Sequence, residues 1–237
     1  LGEFNCQSYL TNKQNDSTIY SMTHEPKADL LPLFSQPICV TELPITEEVA
    51  KHIRNLEYYE MESSVGWLSE DTLVLDNPVM SSLKLNLLNI IKGYAHAMLQ
   101  IQDDIDFYIT NSWVTVHKQG DFAPAHNHDN SLISGTCYVN IPDDDESMFE
   151  IYAPQAHNLF GFLKPKYKEW NIFNSKNWSA KPNTGTTILF PSYLEHGTTP
   201  MTSNTDKRYC LAFNVFAHGD FHDSWMKDKA PINRLVL

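Results

Sequence analysis

Ala125-His126-Asn127-His128-Asp129-Asn130-Ser131-Leu132-Ile133-Ser134-Gly135-Thr136-Cys137-Tyr138-Val139-Asn140 joins two histidines, one residue apart, to an apolar, β-rich run. On an extended backbone residues i and i+2 point to the same side. The stretch therefore predicts two imidazoles at the mouth of a strand. A third histidine comes in Phe190-Pro191-Ser192-Tyr193-Leu194-Glu195-His196-Gly197, again where a strand-like segment, Thr186 to Phe190, runs into a loop. Arg208 follows twelve positions later and begins another strand-like run, Tyr209 to Phe216. Imidazole is a good donor to first-row metals, and the arginine fork matches a planar carboxylate. The reading is a mononuclear metal site with an anion-binding arginine behind it.

Working outward, the chain from Asn111 onward reads as short strands broken by turns. Trp113-Val114-Thr115-Val116-His117 is followed by Gly120-Asp121, the two-histidine stretch, Ile141-Pro142 and an acidic run, Asp143-Asp144-Asp145-Glu146, expected to be a solvated turn. Met148 to Tyr152 reads as another strand, stopped by Pro154. A less regular insert, Asn158 to Asn183, precedes the last two strand-like segments. Many short strands joined by turns predict a sandwich, barrel or jelly roll, and the fold expected is mainly β with flanking helices, a double-stranded β-helix or jelly roll. Upstream lie two helices expected to flank the sheet. Thr46 suits an N-cap, Glu47 and Glu48 suit the positive first turn, and Val49, Ile53 and Leu56 share a face. Asn77 can cap a second helix with Pro78 at its first position and an apolar stripe of Val79, Leu83, Leu87, Ile90 or Ile91, Tyr94 and Met98. Residues 1–30 are polar and lack periodicity, and read as a flexible leader. A single domain is expected over 31–237, helical over about 44–102 and β-rich over about 111–216.

The charge narrows the partners. A formal net charge of -12 in 237 residues argues against a nucleic-acid or anionic-membrane surface. Aromatics at 12% and charged residues at 19% suit a compact globule. No apolar run approaches the roughly 20 residues of a membrane helix. Cys6, Cys39, Cys137 and Cys210 are widely spaced with no C-x-x-C pair, which favours a reducing, cytoplasmic setting.

The ordered set of His126-x-His128, Ser134-Gly135 with Tyr138-Val139-Asn140, Pro191-Ser192 with His196, Arg208, and Phe213-Asn214 resembles the iron(II)- and 2-oxoglutarate-dependent oxygenases. Within them it is similar to an H-x-H branch distantly related to prolyl hydroxylases, over roughly residues 33–216, where Phe34 to Val40 and Gly66-Trp67-Leu68-Ser69 also fit. The resemblance implies that His126, His128 and His196 are the metal ligands. It implies that Arg208 pairs with the far carboxylate of 2-oxoglutarate, that Tyr138 hydrogen-bonds the same group, and that Asn214 and Trp113 line the pocket. Fe(II) is the implied cofactor, with 2-oxoglutarate and dioxygen as cosubstrates. The implied reaction hydroxylates a protein side chain or a small metabolite, with succinate and carbon dioxide as coproducts.

One position departs from the wider family: His128 stands where an aspartate or glutamate is usual. Three imidazoles form a neutral ligand set, which leaves the metal charge uncompensated and suits zinc as well as iron. Asp121, Asp129 or Glu150 can alternatively supply a carboxylate. A shifted register, with His128 first and Asn130 second, is poorer because an amide oxygen is a weaker donor. Two other functions stay open: a three-histidine iron or zinc enzyme that does not use 2-oxoglutarate, and a non-catalytic jelly-roll binding module. Arg208 can equally pair with Asp206 or Glu195, and Tyr138 can be plain core. His117 and His157 have no partner in spacing, and His218 with His222 favours a loop. The insert, with Phe160, Tyr167, Trp170, Phe173 and Trp178, is either a lid or satellite core. Neither the substrate nor the oligomeric state is legible.

Overall fold

The structure, a computed structural model, describes residues 35–154, 165–171, 174–219 and 221. The expected leader, together with Phe160, Phe173, His157 and His222, lies outside these residues. The strands are β1 (Cys39–Glu42), β2 (Tyr58–Glu60), β3 (Trp67–Ser69), β4 (Asp106–His117), β5 (Ile133–Asn140), β6 (Phe149–Tyr152), β7 (Asn177–Ala180), β8 (Thr186–Pro191), β9 (His196–Thr198) and β10 (Arg208–His218). They form a seven-stranded sheet in the order β1-β8-β5-β10-β4-β3-β2 and a three-stranded sheet in the order β7-β6-β9. From β5 onward the chain passes repeatedly from one sheet to the other, the antiparallel winding of a double-stranded β-helix.

The helices form where capping chemistry permits. In α1 (Glu47–Arg54) the Thr46 hydroxyl accepts from the Val49 N–H at 3.3 Å, and Val49, Ala50 and Ile53 are buried. Leu56 falls just beyond its end. Ahead of the second helix, Asn77 Oδ1 accepts from the Val79 N–H at 3.0 Å. Pro78 begins a single 3-10 turn, Pro78–Met80, and α2 proper runs from Ser81 to Lys92. Its buried stripe is Leu83, Leu87 and Ile91, led by Met80 and continued by Tyr94. The next turn, Gly93–Met98, is π-helical, with the Leu99 N–H donating to Tyr94 O at 3.0 Å. This wider turn rotates the side chains beyond it about the helix axis. Ala95 is buried as a result, and Met98, expected on the stripe, is 60% exposed. Among the described residues no helix is long and apolar enough to cross a membrane.

Side-chain alternation along the central strands divides the interior in two. Val114, Val116, Ile133, Cys137, Val139, Leu189, Leu211, Phe213 and Val215 pack with the helices in one core. Tyr138, Ile188, Phe190 and Cys210 meet Phe149 and Ile151 of the small sheet in the other. Strand β10 lies between β5 and β4, with Arg208 opposite His117 and Asn214 opposite Ser134. The functional residues sit on the small-sheet side of this plane.

Gly135 shows how tightly the helix side is filled. A Cβ there would overlap the Phe213 ring and lie 2.7 Å from Leu189 Cδ2. Gly135→Ala is expected to destabilise the protein by about 1–3 kcal/mol through overpacking, measured by urea denaturation.

Candidate metal centre

The two-histidine stretch and β9 are stitched together by backbone. The His126 N–H donates to His196 O at 2.9 Å, the His196 N–H returns to His126 O at 2.8 Å, and the His128 N–H donates to Ser192 O at 3.0 Å. These bonds bring the three rings to one point. One nitrogen from each of His126, His128 and His196 lies within 4.8 Å of the others. Among the described residues this is the only cluster of histidine, cysteine and acidic side chains with such spacing.

The other ring nitrogens settle the tautomers. His126 Nδ1 lies 2.7 Å from Pro124 O, His196 Nδ1 3.0 Å from Leu194 O, and His128 Nδ1 2.6 Å from Asn214 Oδ1. Carbonyl oxygens only accept, so each Nδ1 carries the proton and each Nε2 keeps its lone pair free. Ser134 Oγ reinforces the third contact, lying 2.8 Å from His128 Nδ1 and donating to Asn214 Oδ1 at 3.1 Å. Burial lowers the His196 pKa to about 3, with the neighbouring His126 and His128 acting in the same direction. Burial also lowers the pKa of His128. The rings of Phe190 and Phe149 lie 4.5 Å and 6.0 Å from His196, and that of Trp113 lies 5.6 Å from His128. Three imidazoles that turn Nε2 toward one point, two of them against aromatic rings, can hold a divalent cation.

A cavity runs inward from this triad along the sheet, past Thr136, Cys210 and Ala212, to Tyr138 and Arg208. Arg208 is 1% exposed. One terminal nitrogen, Nη1, donates to Ser147 Oγ and lies 3.8 Å from Asp145 Oδ2. The other, Nη2, donates to His117 Nδ1 at 2.7 Å and to Thr198 Oγ1 at 3.1 Å. Its Nε has no hydrogen-bond partner. Tyr138, 1% exposed, also lines the cavity. A guanidinium donor without a protein acceptor, beside a tyrosine at the inner end of a cavity, fits the carboxylate of a bound acid.

Residues 111–214 match a family described as "Putative 2OG-Fe(II) oxygenase". Over this segment the chain is similar to the 2OG-Fe(II) oxygenases. No curated protein sequence matches the chain. Solved structures share the double-stranded β-helix. The α-ketoglutarate-dependent epimerase SnoN of nogalamycin biosynthesis superposes with a TM-score of 0.54 at 10% identity, over 85% of this chain and 91% of that one. HygX from Streptomyces hygroscopicus, with nickel, 2-oxoglutarate and hygromycin B bound, gives 0.51 at 12% identity, over 76% and 82%. A Trichoplax adhaerens prolyl hydroxylase in complex with a peptide fragment of hypoxia inducible factor gives 0.51 at 14% identity, over 78% and 85%.

Several residues of the chain sit elsewhere than the sequence suggests. Asn214 is not among the residues lining the cavity; it stands behind His128 as the acceptor for Nδ1. The candidate carboxylates are occupied away from the triad. Asp121 accepts from the Lys118 N–H at 3.1 Å, Asp129 from Asn127 at 3.1 Å, and Glu150 from Tyr152 and Asn177 at 2.8 and 3.0 Å. Arg208 pairs with neither Asp206 nor Glu195 but with Asp145, which the acidic run had suggested to be solvated and which is 2% exposed. His117, without a partner in spacing, is bonded to Arg208. No local signal marks either residue, because their partner is about 60 or 90 positions away. Of the insert's described aromatics, the rings of Tyr167 and Trp170 lie 5.0 Å apart, tilted 50° to each other, and Trp178 lies on β7, 40% exposed.

The buried imidazoles make stability depend on pH. His117 and His196 are lowered from 6.5 to about 3, His117 chiefly by burial and then by Arg208. Below pH 6.5 the unfolded chain binds protons that the native state refuses, so stability falls as pH drops through this window. The thermal midpoint of metal-free protein is expected to decline steadily from pH 6.5 to about 5 and to stay nearly level from about 7 to 8, by scanning calorimetry.

Proposed function

We propose that the protein is a non-haem Fe(II)- and 2-oxoglutarate-dependent dioxygenase that hydroxylates a protein side chain or a small metabolite. The observation that carries this reading is one cavity with three free imidazole Nε2 positions at its mouth and an arginine Nε without an acceptor at its closed end. His126, His128 and His196 would hold the iron, which when bound supplies the redox chemistry coupling 2-oxoglutarate decarboxylation to C–H oxidation. Arg208 and Tyr138 would take the distal carboxylate of the cosubstrate. Phe149 and Phe190 shield His196 from water, and Asn214 with Ser134 would keep His128 in the tautomer that binds metal. The structural neighbours hold hygromycin B in one case and a peptide in another, so the fold accommodates ligands of both classes.

A second reading, a three-histidine iron or zinc enzyme that does not use 2-oxoglutarate, is favoured by the absence of a carboxylate from the metal cluster. Anaerobic titration of the apo-protein with Fe(II) and 2-oxoglutarate separates the two. The first predicts a weak visible charge-transfer band that disappears in His196→Ala. It also predicts that Arg208→Ala weakens 2-oxoglutarate binding by about 100-fold, the loss of a charge-assisted pair, while Fe(II) binding survives. Iron binding without the band supports the second reading.

Asn214→Ala removes the acceptor for His128 Nδ1. Metal affinity is expected to fall by about 10- to 100-fold with the fold intact, checked by competition with a chromogenic chelator and by circular dichroism.

A further inference from the structure

A buried guanidinium with no counter-charge is among the least tolerable groups in a protein interior, and the arrangement around Arg208 answers this directly. Asp145 Oδ2 lies 3.8 Å from Nη1, and both side chains are 1% exposed. Between them, Ser147 Oγ donates to Asp145 Oδ2 at 2.6 Å while accepting from Arg208. Asp145 Oδ1 also accepts from Ser147 N at 3.2 Å, Thr202 N at 2.9 Å and Thr202 Oγ1 at 3.1 Å. The remaining neighbours of the guanidinium are both uncharged: Thr198 Oγ1, and His117, a neutral acceptor held from the other side by the Val65 backbone. Gly66 lets that backbone close in, since a Cβ there would lie 2.7 Å from His117 Cδ2. Asp145 is thus the sole acid paired with Arg208 among the described residues.

Resting on the function proposed above, we propose that Asp145 is the resident counter-ion of Arg208, holding the guanidinium in place before the cosubstrate arrives and supplying the negative charge that the three-histidine set omits. Iron(II), a 2-oxoglutarate dianion, Arg208 and a ligand carboxylate would sum to zero. With three neutral histidines the same zero requires one further buried anion, and Asp145 is placed to be it. Burial pushes the Asp145 pKa up, but the Ser147 and Thr202 hydrogen bonds outweigh it and hold the group below the usual carboxylate range. Asp145 and the distal carboxylate of the cosubstrate then share one cation. Because Asp145 stabilises the ligand-free state more than the bound one, it moderates cosubstrate affinity. Asp145 is a positioning residue, acting only through Arg208.

The test is Asp145→Asn, which keeps an oxygen for the Ser147 and Thr202 N–H groups and removes the charge. A residue that merely shapes the turn would tolerate this change. A counter-ion gives two effects of opposite sign. The metal-free variant is expected to melt roughly 5–15 °C lower, while its 2-oxoglutarate affinity with Fe(II) present rises on the order of 5- to 10-fold. Combining it with Arg208→Met should restore most of the lost thermal midpoint, because both charges are then gone. If Asp145→Asn alone does not fold, recovery of folding in the double variant supports the proposal. A melting point and 2-oxoglutarate affinity both unchanged in Asp145→Asn overturn it, as does a double variant no more stable than the sum of the single losses. A wild type that melts normally but never binds 2-oxoglutarate defeats the proposed function instead, while the thermal cycle between Asp145 and Arg208 still reads the ion pair.

Discussion

Strand β10 is hydrogen-bonded to β5 on one edge and to β4 on the other, and its register with them decides the surroundings of every side chain in the site. Because successive residues of a strand face opposite ways, one alignment puts Leu211, Phe213 and Val215 against the helices and Arg208, Cys210 and Ala212 against the cavity. A slip by one residue would place the arginine among leucines and turn Phe213 toward the three histidines. The apolar demand of the helix-side core, met by α2 and by residues such as Ile91 and Leu87, opposes that slip. The packing that stabilises the fold also aims the chemistry.

Within that frame the metal centre is a problem in hydrogen bonding. Each histidine gives its Nδ1 proton to an oxygen fixed by backbone or by a neighbouring strand, so the lone pairs converge without any ligand present. The site is preorganised, and little conformational entropy is left for a cation to remove. Sequestering His196 beneath two phenylalanines keeps it neutral, which spares an incoming cation most of the competition with protons.

Charge is handled at a distance. The three-histidine cluster includes no acid among the described residues, and the buried acid Asp145 sits instead beside Arg208. This separation keeps the guanidinium ordered in a low-dielectric interior while leaving Nε free to meet a carboxylate.

The amino-acid sequence by itself determined the mainly β class, the presence of both helices with the Thr46 cap of the first, and the convergence of His126, His128 and His196. Strand alternation, capping residues and turn residues act over a few positions and leave a local trace. It did not reveal the π-helical turn that exposes Met98, since that depends on how the end of the second helix packs. It misjudged Asp145, which looks like part of a solvated acidic run, and it left His117 without a role. It also placed Asn214 in the pocket rather than behind His128. Each of these side chains acquires its partner only when strands distant in sequence pair, and polar residues on loops and strand ends carry no periodicity to announce such a partner. Tertiary structure alone decided which acid is buried, which histidine stays neutral, and which nitrogen of Arg208 remains free.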